Sequence, residues 1–238
     1  MPGSDRFLPS RRHGERAGRR LTIMGASHWF ACHAAVTQLT LPGFDLPPPA
    51  PEHRFFFAVM PDPGAAARIA ALAEDCRSGT PGKAEVLRTE RLHVTLYSLG
   101  DFAYAPGAVV ARACAAADRI AASAFRVTFD RIVSFNGRPG HQPRVLTSSA
   151  GADALIAFQQ QLREALRRVG LRVSAARFTP HVTLLYGERR PEQPCVEPVT
   201  WTVNEFVLIH SWLGKKRYDI VGRWPLTGGD SSAEALRQ

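Results

Sequence analysis

Phe178-Thr179-Pro180-His181-Val182-Thr183-Leu184-Leu185 decides how this chain is read, because a near copy, Arg91-Leu92-His93-Val94-Thr95-Leu96-Tyr97, stands much earlier. Both carry the tetrapeptide His-Val-Thr-Leu within an apolar run. In a strand the side chains alternate between faces, so the His and the Thr two residues on share one face while Val and Leu take the other. Each copy therefore presents an imidazole beside a hydroxyl. A lone His on an apolar strand is usually a packed, hydrogen-bonded core residue. Repetition of the whole tetrapeptide in a matching context points instead to a site, one with two titratable rings and two neutral donors, if the fold has internal pseudo-symmetry.

Working outward, Phe55 to Val59 reads as a buried strand, and Pro61-Asp62-Pro63 leads into an Ala-rich helix with Ile69, Leu72 and Ala73 at helical spacing up to Ser78-Gly79. Glu85 to Arg88 and Leu92 to Leu99 read as strands, and Pro106 opens a second Ala-rich helix reaching Ala122. Phe125 to Phe135 alternates as a single strand, turns at Asn136-Gly137-Arg138-Pro139-Gly140, and pairs back through Arg144 to Thr147. Asp153 to Val169 is the clearest helix, with Leu155, Ile156, Phe158, Leu162, Leu166 and Val169 on one face and Gly170 as its stop. Trp201 to Trp212 and Tyr218 to Trp224 finish the chain as strands. Strand-helix-strand units thus stand on both sides of the middle, each with one His motif.

With 45% hydrophobic residues in 238, the chain has material for one sizeable domain, and no apolar run approaches the roughly 20 residues that span a bilayer. No membrane partner is expected. Thirty Lys and Arg against twenty-one Asp and Glu leave a net charge of +9, which favours polyanionic partners; an arginine-rich composition without a ligand is the alternative. Cys32, Cys76, Cys114 and Cys195 are too widely spaced for a zinc site, and the Arg-rich start lacks the apolar core of a secretory signal. A cytoplasmic protein with four free thiols, acting as a monomer, is the expectation.

Residues 1–50 read as a flexible arm before a domain at 51–228, with 229–238 as a flexible tail. Met24 is an alternative start that would remove all of the arm's Arg residues. Gln38-Leu39-Thr40-Leu41-Pro42-Gly43-Phe44 is similar to short peptides that dock on bacterial sliding clamps, the alternative being a segment packed on the protein's own surface.

The two His-x-Thr motifs, the strand Arg54-Phe55-Phe56-Phe57-Ala58-Val59 and the Leu99-Gly100 that trails the first motif resemble the 2H phosphoesterase superfamily. Within it the chain is most similar to RNA 2′,3′-cyclic phosphodiesterases, also called 2′-5′ RNA ligases, over Arg54 to Leu226. The resemblance implies an α+β fold of two pseudo-symmetric lobes, with antiparallel sheets facing a central cleft and helices outside. It also implies opening of RNA 2′,3′-cyclic phosphate ends to the 2′-phosphate without metal or other cofactor. In that scheme His93 is the acid that protonates the 3′ oxygen and His181 the base on water, exchanging roles in ligation. Histidine suits both tasks, since its ordinary pKa of roughly 6.5 lies near working pH. Thr95 and Thr183 would donate hydrogen bonds to the non-bridging oxygens.

Tyr97 continues the His-facing side and either stacks on a base or packs at the cleft wall. Arg177, four before His181, either holds phosphate or is a surface charge, sharing the His face only if the strand passes back through Pro180. Relatives often carry an Arg shortly after the second motif, where this chain has Leu185-Tyr186-Gly187 and reaches Arg189-Arg190 only later. Lys215-Lys216-Arg217, in a turn, either guides an RNA backbone or is a solvated tip. Besides RNA ends, two other readings stand: a small cyclic or 2′-5′ linked nucleotide as substrate, and a non-catalytic module that binds RNA ends.

Overall fold

Strand β1, His53–Val59, is apolar on both faces, and this sets the layering: Phe55 through Val59 are all buried. Phe57 and Val59 enter the main core, whereas Phe56 and Ala58 join a smaller cluster with Val207, Ile209, Met60 and Tyr218 on the other side of the sheet. The computed structural model describes residues 47–78, 84–188 and 195–227, all within the unit Ala34–Gln238. Most of the expected arm, the Gln38 to Phe44 peptide, Met24, Cys32, Arg189-Arg190 and the tail lie outside the described residues.

After β1 come α1 (Pro63–Ser78), β2 (Glu85–Val86), a 3-10 turn (Thr89–Arg91) and β3 (Val94–Phe102). Then follow α2 (Gly107–Ala117), β4 (Phe125–Phe129), β5 (Arg131–Ser134), β6 (Gln142–Thr147) and α3 (Asp153–Arg168). The chain closes with β7 (His181–Gly187), β8 (Val199–Val203), β9 (Glu205–Trp212) and β10 (Arg217–Pro225). Asp62 starts α1 by accepting from Ala65 N at 2.8 Å, with Pro63 in the first helical position, where its missing N–H costs nothing.

Every strand pair is antiparallel. The main sheet runs β10-β9-β1-β3-β7-β6-β5, with β2 on β7, and β4 and β8 form a separate ribbon. The two lobes are thus joined through β3 and β7, at the single pair Val94 with Val182. α1 follows β1 in one lobe but packs against β7 and β8, whereas α3 packs against β3 and β4 and carries α2 on its side. The main core lies between these helices and the sheet.

Two expected strands are broken. Phe125 to Phe135 splits at Asp130, whose carboxylate accepts from Ser149 N at 2.8 Å and from the Ser149 hydroxyl, while its carbonyl accepts from Val196 N at 2.9 Å. The corner these bonds hold sends β4 to β8 and β5 to β6. Trp201 to Trp212 splits at Asn204, whose carbonyl accepts from Leu226 N at 2.8 Å. At each break the core-facing positions step by three instead of two, from Phe129 to Ile132 and from Val203 to Phe206. Helix α2 stops at Ala117 rather than Ala122, and β2 keeps only Glu85 and Val86 of the expected strand.

Candidate active site

Val94 and Val182 are fully buried in the helix-side core, so alternation turns His93, Thr95, His181 and Thr183 to the opposite face. The antiparallel register about the valine pair sets His93 level with Thr183 and Thr95 level with His181. The repeat seen in sequence is therefore a pseudo-two-fold in space.

The repeat extends to an irregularity. On β3, Leu96 is an extra residue between Thr95, opposite Ala58, and Tyr97, opposite Phe57. On β7, Leu184 is an extra residue between Thr183, opposite Val145, and Leu185, opposite Arg144. A bulge at the same place in both motifs bends each strand just beyond its His-x-Thr. It also takes a buried carbonyl off the ladder, which must find another donor. The lobes meet this need differently: Gln159 Nε2 of α3 donates to Leu96 O at 3.2 Å, and Leu87 N donates to Leu184 O at 2.9 Å.

Both imidazoles are held alike. His93 Nδ1 lies 2.7 Å from Arg91 O, and His181 Nδ1 lies 2.8 Å from Thr179 O. A carbonyl only accepts, so each Nδ1 carries the hydrogen and each neutral ring keeps its lone pair on Nε2. Phe56 stands 4.9 Å from His93, and Phe135 stands 4.9 Å from His181. Burial lowers the His93 pKa to about 4, against the pull of the Arg91 carbonyl and with help from the charges of His181 and Arg91. Burial also lowers His181, opposed by the Thr179 carbonyl. Both rings are thus neutral at pH 7, with the His181 charge among the causes that hold His93 low.

Tyr186 joins the site from the second motif strand through a hydrogen bond with Thr183, and its phenol is pushed up first by burial and then by Tyr218. Tyr218 of β10 meets the His93 ring edge-on at 5.7 Å and carries the Arg91 guanidinium over its face at 4.4 Å. Across the lobes, Lys216 Nζ pairs with Glu85 Oε1 at 2.6 Å.

The other anticipated residues are placed as follows. The Tyr97 hydroxyl donates to Arg172 O at 2.9 Å and accepts from Ser174 N at 3.2 Å, so it ties down the segment that leads into β7. β7 begins only at His181 and Arg177 is exposed before it, so the strand does not carry Arg177 onto the His face. Lys215 and Arg217 lie over Trp212, and Arg217 also pairs with Asp219 at 2.9 Å; with Lys216 on Glu85, all three cations of that turn are engaged. Cys114 and Cys195 are free thiols. Sequence reasoning did not single out Arg91, Phe56, Phe135, Gln159 or Tyr218. For Arg91 a signal was present, two residues before His93 in the quoted motif; the others come from strands and helices distant in sequence.

Among the described residues, no cluster of three or more His, Cys, Asp or Glu could hold a metal ion, and no helix is long and apolar enough to cross a membrane.

A bilobal antiparallel α+β fold with paired His-x-Thr motifs at the junction defines a 2H phosphoesterase. The chain belongs to the 2′-5′ RNA ligase superfamily, whose family model matches residues 60–213. Among solved structures it is similar to Escherichia coli LigT complexed with 3′-AMP, at 26% identity and TM-score 0.61, over 75% of this chain and 99% of that one. The LigT complex with NADP+ matches at 26% identity and TM-score 0.58 over the same shares. A Thermus thermophilus protein shares the fold at 23% identity and TM-score 0.58, over 74% of this chain and 99% of its own. Comparison with curated protein sequences gives no match.

Proposed function

We propose that this protein opens 2′,3′-cyclic phosphates at RNA ends to 2′-phosphates without a metal ion. The observation that carries the reading is the matched presentation of two Nδ1-protonated imidazoles, each beside a threonine, about one valine pair. Nε2 of His181 takes a proton from water as the water oxygen bonds to phosphorus. The bond from phosphorus to the ribose 3′ oxygen breaks, and His93 Nε2–H protonates that oxygen. Thr95 and Thr183 donate to the non-bridging oxygens, where negative charge builds in the transition state. In the reverse direction the two imidazoles exchange roles.

Because both rings are neutral in the free protein at pH 7, the acid form of His93 arises with substrate, as the phosphate charge favours the imidazolium. The net charge of +9 favours an anionic partner. That LigT is crystallised with 3′-AMP and with NADP+ supports nucleotide chemistry and keeps a second reading alive, a small nucleotide as substrate at the same site.

The test is incubation, in EDTA, with a short RNA ending in a 2′,3′-cyclic phosphate and separately with the cyclic mononucleotide, resolving 2′- from 3′-phosphate. Opening to the 2′-phosphate on RNA is expected. Opening of the mononucleotide alone would favour the small-nucleotide reading, and binding of RNA without any opening would favour an end-binding module.

A further inference from the structure

The Arg91 side chain has no part in the ring-opening steps above, although its carbonyl orients His93. Its guanidinium lies 4.4 Å over the Tyr218 ring, which in turn meets the His93 imidazole at 5.7 Å. Its charge also reaches Tyr186 on the opposite motif strand. Arg91 Nε is shut off from solvent and has no hydrogen-bond partner among the described residues. Neighbouring cations are engaged: Arg54 makes two bonds to Asp101, at 2.6 and 2.7 Å, and Lys216 is paired with Glu85.

A guanidinium stacked on an aromatic face has its plane fixed, while its edge donors stay in a fork that matches a phosphate. A donor shielded from water and left without a partner is costly until an acceptor arrives. The stacked face of Tyr218 is covered by Arg91, so that face is not offered to a nucleobase. An anion beside the cyclic phosphate is what this corner suits. In an RNA end, the next anion is the phosphodiester that joins the terminal nucleotide to its neighbour.

We propose that Arg91 binds this second phosphate, so that the site selects RNA ends of two or more nucleotides over cyclic mononucleotides. The proposal rests on the cyclic phosphodiesterase reading. Tyr218 acts by holding the guanidinium flat, and the residue that measures substrate length lies before the first motif rather than after the second.

The experiment compares kcat/KM for adenosine 2′,3′-cyclic phosphate and for an adenosine dinucleotide ending in the same ring, in the wild type, Arg91→Gln and Arg91→Lys. The wild type should prefer the dinucleotide, and added salt should shrink that preference. Arg91→Gln should reduce the ratio of the two constants about ten- to hundredfold, mainly through KM, as loss of a charge-assisted hydrogen bond does. Arg91→Lys should recover part of it. A wild type with no length preference, or a ratio unmoved in Arg91→Gln whether both constants fall or neither does, overturns the proposal while leaving the phosphodiesterase intact. Failure of the wild type to open either substrate removes the parent reading and this one together. If Arg91→Gln does not fold, a salt-independent length preference in the wild type still overturns it.

Discussion

Protonating His93 in the free protein should be difficult, and the difficulty is measurable. Its Nδ1–H is fixed on the Arg91 carbonyl, so the second proton must go on Nε2, in a ring packed 4.9 Å from Phe56 and 5.7 Å from Tyr218. Its pKa is lowered to about 4. Against an ordinary value of roughly 6.5, and at about 1.4 kcal/mol per unit, the folded protein disfavours the imidazolium by about 3 kcal/mol. The unfolded chain binds the proton below about pH 6.5 and the folded chain only near 4, so this stability is present above pH 6.5 and is lost as pH falls from 6.5 toward 4. An anion in the site acts the other way, raising the pKa by about one to three units for a close opposite charge. NMR titration of the His93 ring, with and without inorganic phosphate, reads both effects. A low midpoint that climbs with phosphate is expected, together with proton uptake on phosphate binding near pH 5. A free-protein midpoint at 6.5 or higher, or one that phosphate leaves in place, would refute the reasoning.

Gln159→Leu leaves the Leu96 carbonyl without its donor inside the core, which should cost about 1–3 kcal/mol and slow ring opening by misplacing Thr95; a wild-type melting curve and rate would contradict this. Asp62→Ala removes the cap of α1 and should cost about 1 kcal/mol by denaturant melting with kcat preserved. Ring opening should proceed unchanged after exhaustive EDTA treatment and dialysis, and recovery only on adding a divalent cation would move the chemistry to another site.

How much of this was legible before the structure depends on whether the deciding interactions are local. The tetrapeptide repeat carries its own information: alternation alone turns His93 and Thr95 to one face, and the same holds for His181 and Thr183. Helix α3 was legible because Leu155, Phe158, Leu162 and Leu166 keep the helical period. The breaks at Asp130 and Asn204 were missed although the apolar spacing widens from two to three at each, because the bonds that fix them come from residues far along the chain, Val196 and Leu226 among them. The shared bulges at Leu96 and Leu184 were hidden for a similar reason, because a bulge exists only relative to its partner strand. The Phe56 and Phe135 rings beside the two imidazoles come from strand β1 and from the turn after β5, and no spacing rule links them to His93 or His181. Tyr97 illustrates the limit from the other side: alternation puts it on the His face, but the bulge at Leu96 turns it to the helix side opposite Phe57, where its hydroxyl is committed to the 172–174 backbone.

The central claim is that the two motifs form one acid-base unit on one phosphate, and the most direct test is the single-turnover rate of ring opening in His93→Ala, His181→Ala and the double variant. Each single change should lower the rate by about 10²–10⁴-fold, and the double variant should be little slower than the slower single one, because groups that act as a unit do not contribute additively. A near-normal rate in either single variant, or losses that simply multiply in the double variant, would contradict it.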